Sequence, residues 1–326
     1  MELVDRAGRG RAAAAAAVTV TLWASAFVFI RAAGEHFSPG ALALGRLVSG
    51  AVVLVALCVL TGAGVPPRRT WRAIGISGVL WFALYMVALN WAEQHVDAGT
   101  AALVINIGPV LIALLGGVLL GEGFPARLMA GIAVSFTGAV VVGLSSSDGA
   151  ATVLGVVLCV IAAAAWAISA IVQKPALAHA SALQVTTGGC VVGALACLPF
   201  SWQLAGEVAA APIPATLSLI YLGVFPTAVA FTTWAYALAR MTAGQVGATT
   251  YASPALVIVM AWAVLGEFPS ALALAGGVLC LAGVAITRGG LPALRARVAR
   301  KDPEVARETK SVDLPRESSP GSADRA

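Results

Sequence analysis

The chain has 326 residues, 60% hydrophobic and 11% charged, with a formal net charge of +5. A soluble domain typically carries roughly 25% charged residues, so this composition excludes an ordinary water-soluble globule. Ten apolar stretches reach or approach the roughly 20 residues a helix needs to cross a bilayer core of about 30 Å.

In chain order the expected spans are 12–30, 40–60, 73–91, 99–120, 128–144, 153–172, 183–200, 216–238, 244–265 and 271–287. Lipid offers no partner to backbone N–H and C=O groups, so each stretch must be helical. Runs this uniformly apolar do not fit a barrel, whose strands alternate. A basic N-terminal segment, 1–11, precedes the first span. The polar stretch Ser145-Ser146-Ser147-Asp148-Gly149 separates a first five-helix half, 12–144, from a second, 153–287. Beyond Arg288 the composition turns to proline, serine and mixed charge, and 288–326 reads as a disordered cytoplasmic tail.

The basic residues orient the spans. With the N-terminus inside, 18 of the 20 lysines and arginines fall in cytoplasmic segments, leaving Arg31 outside and Arg46 within the second span. Both termini are therefore expected in the cytoplasm. The positive charge reports topology and implies no nucleic-acid partner. Many arginines, few lysines and abundant Ala and Gly suggest a GC-rich bacterial genome, hence a bacterial cytoplasmic membrane. Arg6 to Arg11 followed by Ala24-Ser25-Ala26 also mimics a cleavable secretory signal, whose removal would delete the first span. Five cysteines, all inside spans and without paired spacing, read as small apolar residues; no metal site or disulfide is expected.

Residues 98–141 and 243–286 are two versions of one segment, aligned without a gap at an offset of 145 and identical at 11 of 44 positions. Both open on Ala-Gly, place a proline ten residues after that glycine (Pro109, Pro254) and run to Leu-Gly-Glu (ending at Glu122 and Glu267). The copies lie an odd number of spans apart and must point in opposite directions. Inverted repeats with helices broken near mid-membrane are an architecture of secondary transporters. Trp23-Ala24-Ser25-Ala26-Phe27 in the first span also echoes Trp166-Ala167-Ile168-Ser169-Ala170 in the sixth.

The string GTAALVINIGPVLIALLGGVLLGEGF, its partner GQVGATTYASPALVIVMAWAVLGEF, the Trp-Ala-Ser-Ala-Phe of the first span and the arginine of the second resemble the EamA-type drug/metabolite transporters. The resemblance covers about residues 12–287. It implies a ten-helix bundle of two inverted five-helix repeats around a central cavity, exporting amino acids, related metabolites or drugs by alternating access.

Candidate site residues follow from polarity at depth. Pro109 and Pro254 each remove a helical hydrogen bond and are expected as hinges, freeing the carbonyls of Ile105 and Thr250. Asn106 and Tyr251, in matching register, and Thr250 beside them then face the substrate path, or else bond between helices. Arg46, roughly 10 Å deep at about 1.5 Å per residue, is either a clamp for a substrate carboxylate or a residue that snorkels to phosphates or pairs with Glu35. Trp23, Trp81, Tyr85, Trp166, Trp234 and Tyr236 lie at cavity depth, as cargo-facing rings or as packing. Asn90 and Gln94 are expected near the mouth. Glu122 and Glu267 read as favouring the start of the next helix. No Asp or Glu falls inside any span, which disfavours proton exchange through a mid-helix carboxylate.

A membrane-embedded enzyme is the main alternative. Gly75-Ile76-Ser77-Gly78 matches an intramembrane protease motif, but no histidine lies in any span to take the serine proton. Metal-protease and Walker-type motifs are missing from the sequence, so neither catalysis nor a cofactor is expected. A channel is a further alternative. A small-molecule substrate and the lipid bilayer are the expected partners, with monomer and homodimer both open.

Overall fold

The computed structural model describes residues 2–108, 110–111, 115, 126–144, 149–240, 246 and 249–288. These form thirteen α-helices, and no strand occurs among the described residues. They are α1 (Glu2–Ala33), α2 (Pro39–Thr61), α3 (Trp71–Ser77), α4 (Tyr85–Ala92), α5 (Ala98–Ile105) and α6 (Ala126–Gly143). The second half holds α7 (Gly149–Ala176), α8 (Ala182–Ala196), α9 (Ser201–Ala210), α10 (Ile213–Leu222), α11 (Ala230–Arg240), α12 (Ser253–Leu265) and α13 (Ala271–Arg288).

Among the described residues, five continuous helical stretches are long and apolar enough to cross a membrane: Gly10–Ala33, Pro39–Thr61, Arg68–Ala92, Thr152–Ala176 and Ile213–Arg240. A sixth crossing is counted if the pair Ala182–Ala196 and Leu198–Ala210, bent by 54°, is one span. The chain is thus an all-helical, multi-pass membrane protein. Local chemistry sets the ends. Pro39 sits in the first turn of α2, where its missing N–H costs nothing, and Gly62 and Gly266 end α2 and α12 at φ 63 and 69, a region glycine enters freely. Asp97 caps α5, accepting from the Thr100 backbone at 2.8 Å and the Thr100 hydroxyl at 2.6 Å.

Several expectations need correction. Residues 2–11 are helical and belong to α1, whose apolar span begins at Gly10. The span expected over 183–200 bends at Leu198-Pro199-Phe200, because proline cannot continue the ladder. The loop expected at 201–215 is instead mostly helix, α9 and the start of α10. The span 244–265 is not one helix: a 3₁₀ turn over Thr250–Ala252 precedes α12, and Pro254 lies in the first turn of that helix. Pro254 therefore starts a helix and does not kink one, since a residue with no N–H is tolerated there. Pro109 and Glu122 lie outside the described residues.

Two stretches are wound as π-helix, Gly78–Leu84 and Gly223–Val229, at positions 145 apart. α6 and α13 begin at residues 126 and 271 and end at 143 and 288, the same offset. The second π stretch contains Pro226, which has no amide to give, and i→i+5 winding passes over it; the Thr227 hydroxyl also donates to the Leu222 carbonyl at 2.9 Å. The halves interleave: α1 packs on α10, α11 and α12, α2 on α8 and the second π stretch, and α6 on α13. The α2 contact is backbone to backbone, since a Cβ on Gly50 would stand 2.9 Å from the Gly223 carbonyl oxygen.

Candidate substrate cavity

A narrow cavity of about 50 Å³ lies between α1, α2, the first π stretch, α4, the end of α5, α7, α11 and the 3₁₀ turn before α12. Trp23, Arg46, Tyr85, Asn106, Trp166 and Thr250 line it, together with Phe27, Trp81, Leu89, Phe231 and Ser253. These side chains come from both halves. Arg46 comes from the interior of α2, while helix ends supply three other polar groups: Asn106 is the residue at which α5 stops, and Thr250 and Ser253 stand where α12 begins.

Arg46 is 2% exposed, and its Nε donates to the Thr227 hydroxyl at 2.7 Å. The alternatives of snorkelling and of pairing with Glu35 give way to that contact. Its Nη1 is buried with no protein partner among the described residues, as are the indole N–H groups of Trp23 and Trp166 and the Oδ1 of Asn106. The Asn106 amide donates back to the Ala102 carbonyl at 3.0 Å. A buried polar group without a partner costs about 1–3 kcal/mol. Four such groups around one cavity present three donors and one acceptor. Among the described residues Arg46 is the one ionised side chain lining it, so the cavity favours anionic groups.

The remaining walls are aromatic. The Trp81 and Phe231 rings meet at 4.7 Å, tilted by 51°, and Trp23 meets Phe231 at 5.4 Å and Trp81 at 6.0 Å. Trp234 stands behind this wall, 5.0 Å from Trp23 and 6.3 Å from Trp166. Tyr236 lies elsewhere, its ring 3.7 Å under the Arg240 guanidinium. The Tyr251 side chain is outside the described residues.

Sequence reasoning missed Thr227, which holds Arg46, and Ser253 and Phe231, which carry no local signal. It also missed Glu93. That carboxyl stands one residue past α4, is 1% exposed, and has no hydrogen-bond partner among the described residues. Burial pushes it well above the usual carboxylate range, against the opposing pull of Arg31 and Arg46. Glu267, expected near a helix start, instead accepts from Arg31 Nε at 2.8 Å. Ser270 caps α13 in its place, accepting from the Ala273 backbone at 3.1 Å. Asn90 donates to the Pro39 carbonyl at 3.1 Å, and Gln94 to that of Gly34 at 3.4 Å.

A polytopic helical bundle around a buried, polar-tipped aromatic cavity defines a membrane transporter, and comparison with known proteins agrees. The EamA-like transporter family matches residues 10–144 and again 153–289. A probable terminal-alkyne amino-acid exporter of Streptantibioticus cattleyicolor is 37% identical over 80% of this chain and 88% of its own length. The uncharacterized transporter YdfC of Bacillus subtilis is 33% identical over 82% and 87%. A solved crystal structure, 22% identical, superposes with a TM-score of 0.59 over 86% of this chain and 97% of its own, and shares the fold. The chain belongs to the EamA-like transporter family.

Proposed function

We propose that the protein exports amino acids or closely related small zwitterions, by alternating access through the cavity between two inverted five-helix repeats. The observation that carries the cargo class is the pairing of an unpartnered Arg46 Nη1 with an unpartnered Asn106 Oδ1 in one aromatic-walled cavity. The guanidinium, with an indole N–H beside it, takes the carboxylate. Asn106 accepts from the ammonium. Trp23, Trp81 and Phe231 hold an apolar side chain. A relative named as an amino-acid exporter points the same way.

The inverted ten-span arrangement is supported by the double family match and by elements recurring at an offset of 145. Both termini in the cytoplasm of a bacterial cell follow from the basic residues. ATP is not required, and one chain holds the whole cavity.

Proteoliposomes preloaded with unlabelled L-norvaline are expected to accumulate labelled L-norvaline by saturable counterflow. Arg46→Gln should lower that rate at least about tenfold, the loss of a charged hydrogen bond worth about 1.5–3 kcal/mol. Wild-type vesicles no better than protein-free ones would sink the amino-acid reading.

A further inference from the structure

Two helical faces lead out of the cavity toward one end of the bundle. On α1, Trp23 and Phe27 line the cavity, and Arg31 follows one turn beyond. On α4, Tyr85 and Leu89 line it, and Glu93 follows at the same spacing of four. Residues four apart share a helix face, so Arg31 and Glu93 stand one turn beyond the cavity lining on these two faces. Arg31 is the tie. Its Nη1 donates to the Glu93 carbonyl at 2.7 Å and its Nε to Glu267 at 2.8 Å. The first contact stays within the first half of the chain, and the second crosses to the loop after α12.

Within this closure Glu93 stands apart. Both its carboxylate oxygens are buried and make no hydrogen bond to any described residue. The charged and titratable groups that face it are Arg31 from α1, Arg46 from α2, Tyr85 from α4, Asp97 from the start of α5, Cys159 from α7 and Glu267 from beyond α12. A bare carboxylate in such a place would carry a severe desolvation cost, so the closed arrangement holds the neutral acid.

We infer that Glu93 is the proton-binding site of the transport cycle, protonated while Arg31 bridges to Glu267 and ionised when this end opens to water. On opening, the Glu93 O–H bond breaks, the proton passes to incoming water and the electron pair stays on the carboxylate. That carboxylate then competes with Glu267 for Arg31. On closing, the proton returns. The sign follows by linkage. The closed form binds the extra proton, so acid favours closure, and closure weakens as pH rises through the raised value for Glu93. The site turns a conformational step into a proton-coupled one. It rests on the transporter reading but not on the identity of the cargo.

The test combines a substrate-free readout with transport. Reconstituted wild-type protein, titrated with no substrate present, should show the infrared C=O stretch of a protonated carboxyl that disappears with rising pH. Glu93→Gln should lack that band, and its persistence there would overturn the assignment. Arg31→Gln removes the nearest opposing positive charge and should move the midpoint to higher pH. An unmoved midpoint also overturns it, even if the Gln variant fails to fold. L-norvaline counterflow by wild type should vary by up to about tenfold per pH unit near the midpoint, and in Glu93→Gln it should be flat. Counterflow with no pH dependence in wild type would refute the proton site and leave the exporter reading intact. If norvaline is not carried at all, the cargo reading fails, while the infrared titration still decides the proton site.

Discussion

Among the described residues Arg46 is held by one hydrogen bond, to Thr227, a residue 181 positions away. That bond positions the guanidinium without neutralising it, and so leaves the charge available to an anionic group. Thr227 makes two side-chain bonds: it accepts from Arg46 and donates to the Leu222 carbonyl. Thr227→Val keeps the shape and removes both bonds. It should cost about 1–3 kcal/mol of stability, read as a lower melting temperature in detergent, and should also weaken counterflow. A variant that melts like wild type would show that the arginine has another anchor. Arg46→Lys keeps the charge but loses the planar fork, and should fall between wild type and Arg46→Gln in transport rate.

At the scale of elements, the two π stretches are the unusual feature. Each begins at a glycine, and the second packs its backbone on α2 directly beside Arg46. A Cβ on Gly223 would lie 2.5 Å from the Arg46 carbonyl oxygen and 2.8 Å from the Gly50 nitrogen. Side chains cannot be inserted there without parting α2 from its neighbour, and overpacking of this kind costs about 1–3 kcal/mol or more. Gly223→Val should therefore lose most of its monodisperse peak in size-exclusion chromatography. A normal peak would mean the contact is looser than these distances. Pro254, in the first turn of α12, is a different case. Because its missing N–H lies where a helix has none to give, Pro254→Ala should leave stability within about 0.5 kcal/mol of wild type, measured by the same melting assay.

For the whole molecule, contacts between distant loops sort into two ends. Arg31 with Glu267, and the Ser38 backbone N–H with Glu207 at 2.9 Å, lie at one end. Gln184 bonding the carbonyls of Ala63 and Gly64 lies at the other. In the orientation proposed from the distribution of arginine and lysine, the first end faces outward. Single cysteines placed at Gly149 and Lys174 should then react with a membrane-impermeant thiol reagent from opposite sides of right-side-out vesicles, Gly149 from outside. Labelling of both from one side would remove the inversion and the alternating-access scheme with it.

The helical, membrane-spanning character and the repeated segments were legible in the chain because hydropathy and periodicity are local, additive signals that lipid reads residue by residue. Arg46 stood out for the same reason, since a charge in an apolar run is conspicuous wherever it packs. The breaks at Leu198-Pro199-Phe200 and before Pro254 were not legible, since they leave hydropathy unchanged. What locality cannot carry is partnership. Thr227, Ser253 and Phe231 look like any threonine, serine or phenylalanine until the second half folds against the first. Glu93 was invisible for a sharper reason: it lies one residue past a span, where a carboxylate normally meets water. Only the closure of α1, α4 and the loop after α12 around it removes that water, and burial of a charged group is a property of surroundings that no linear pattern records.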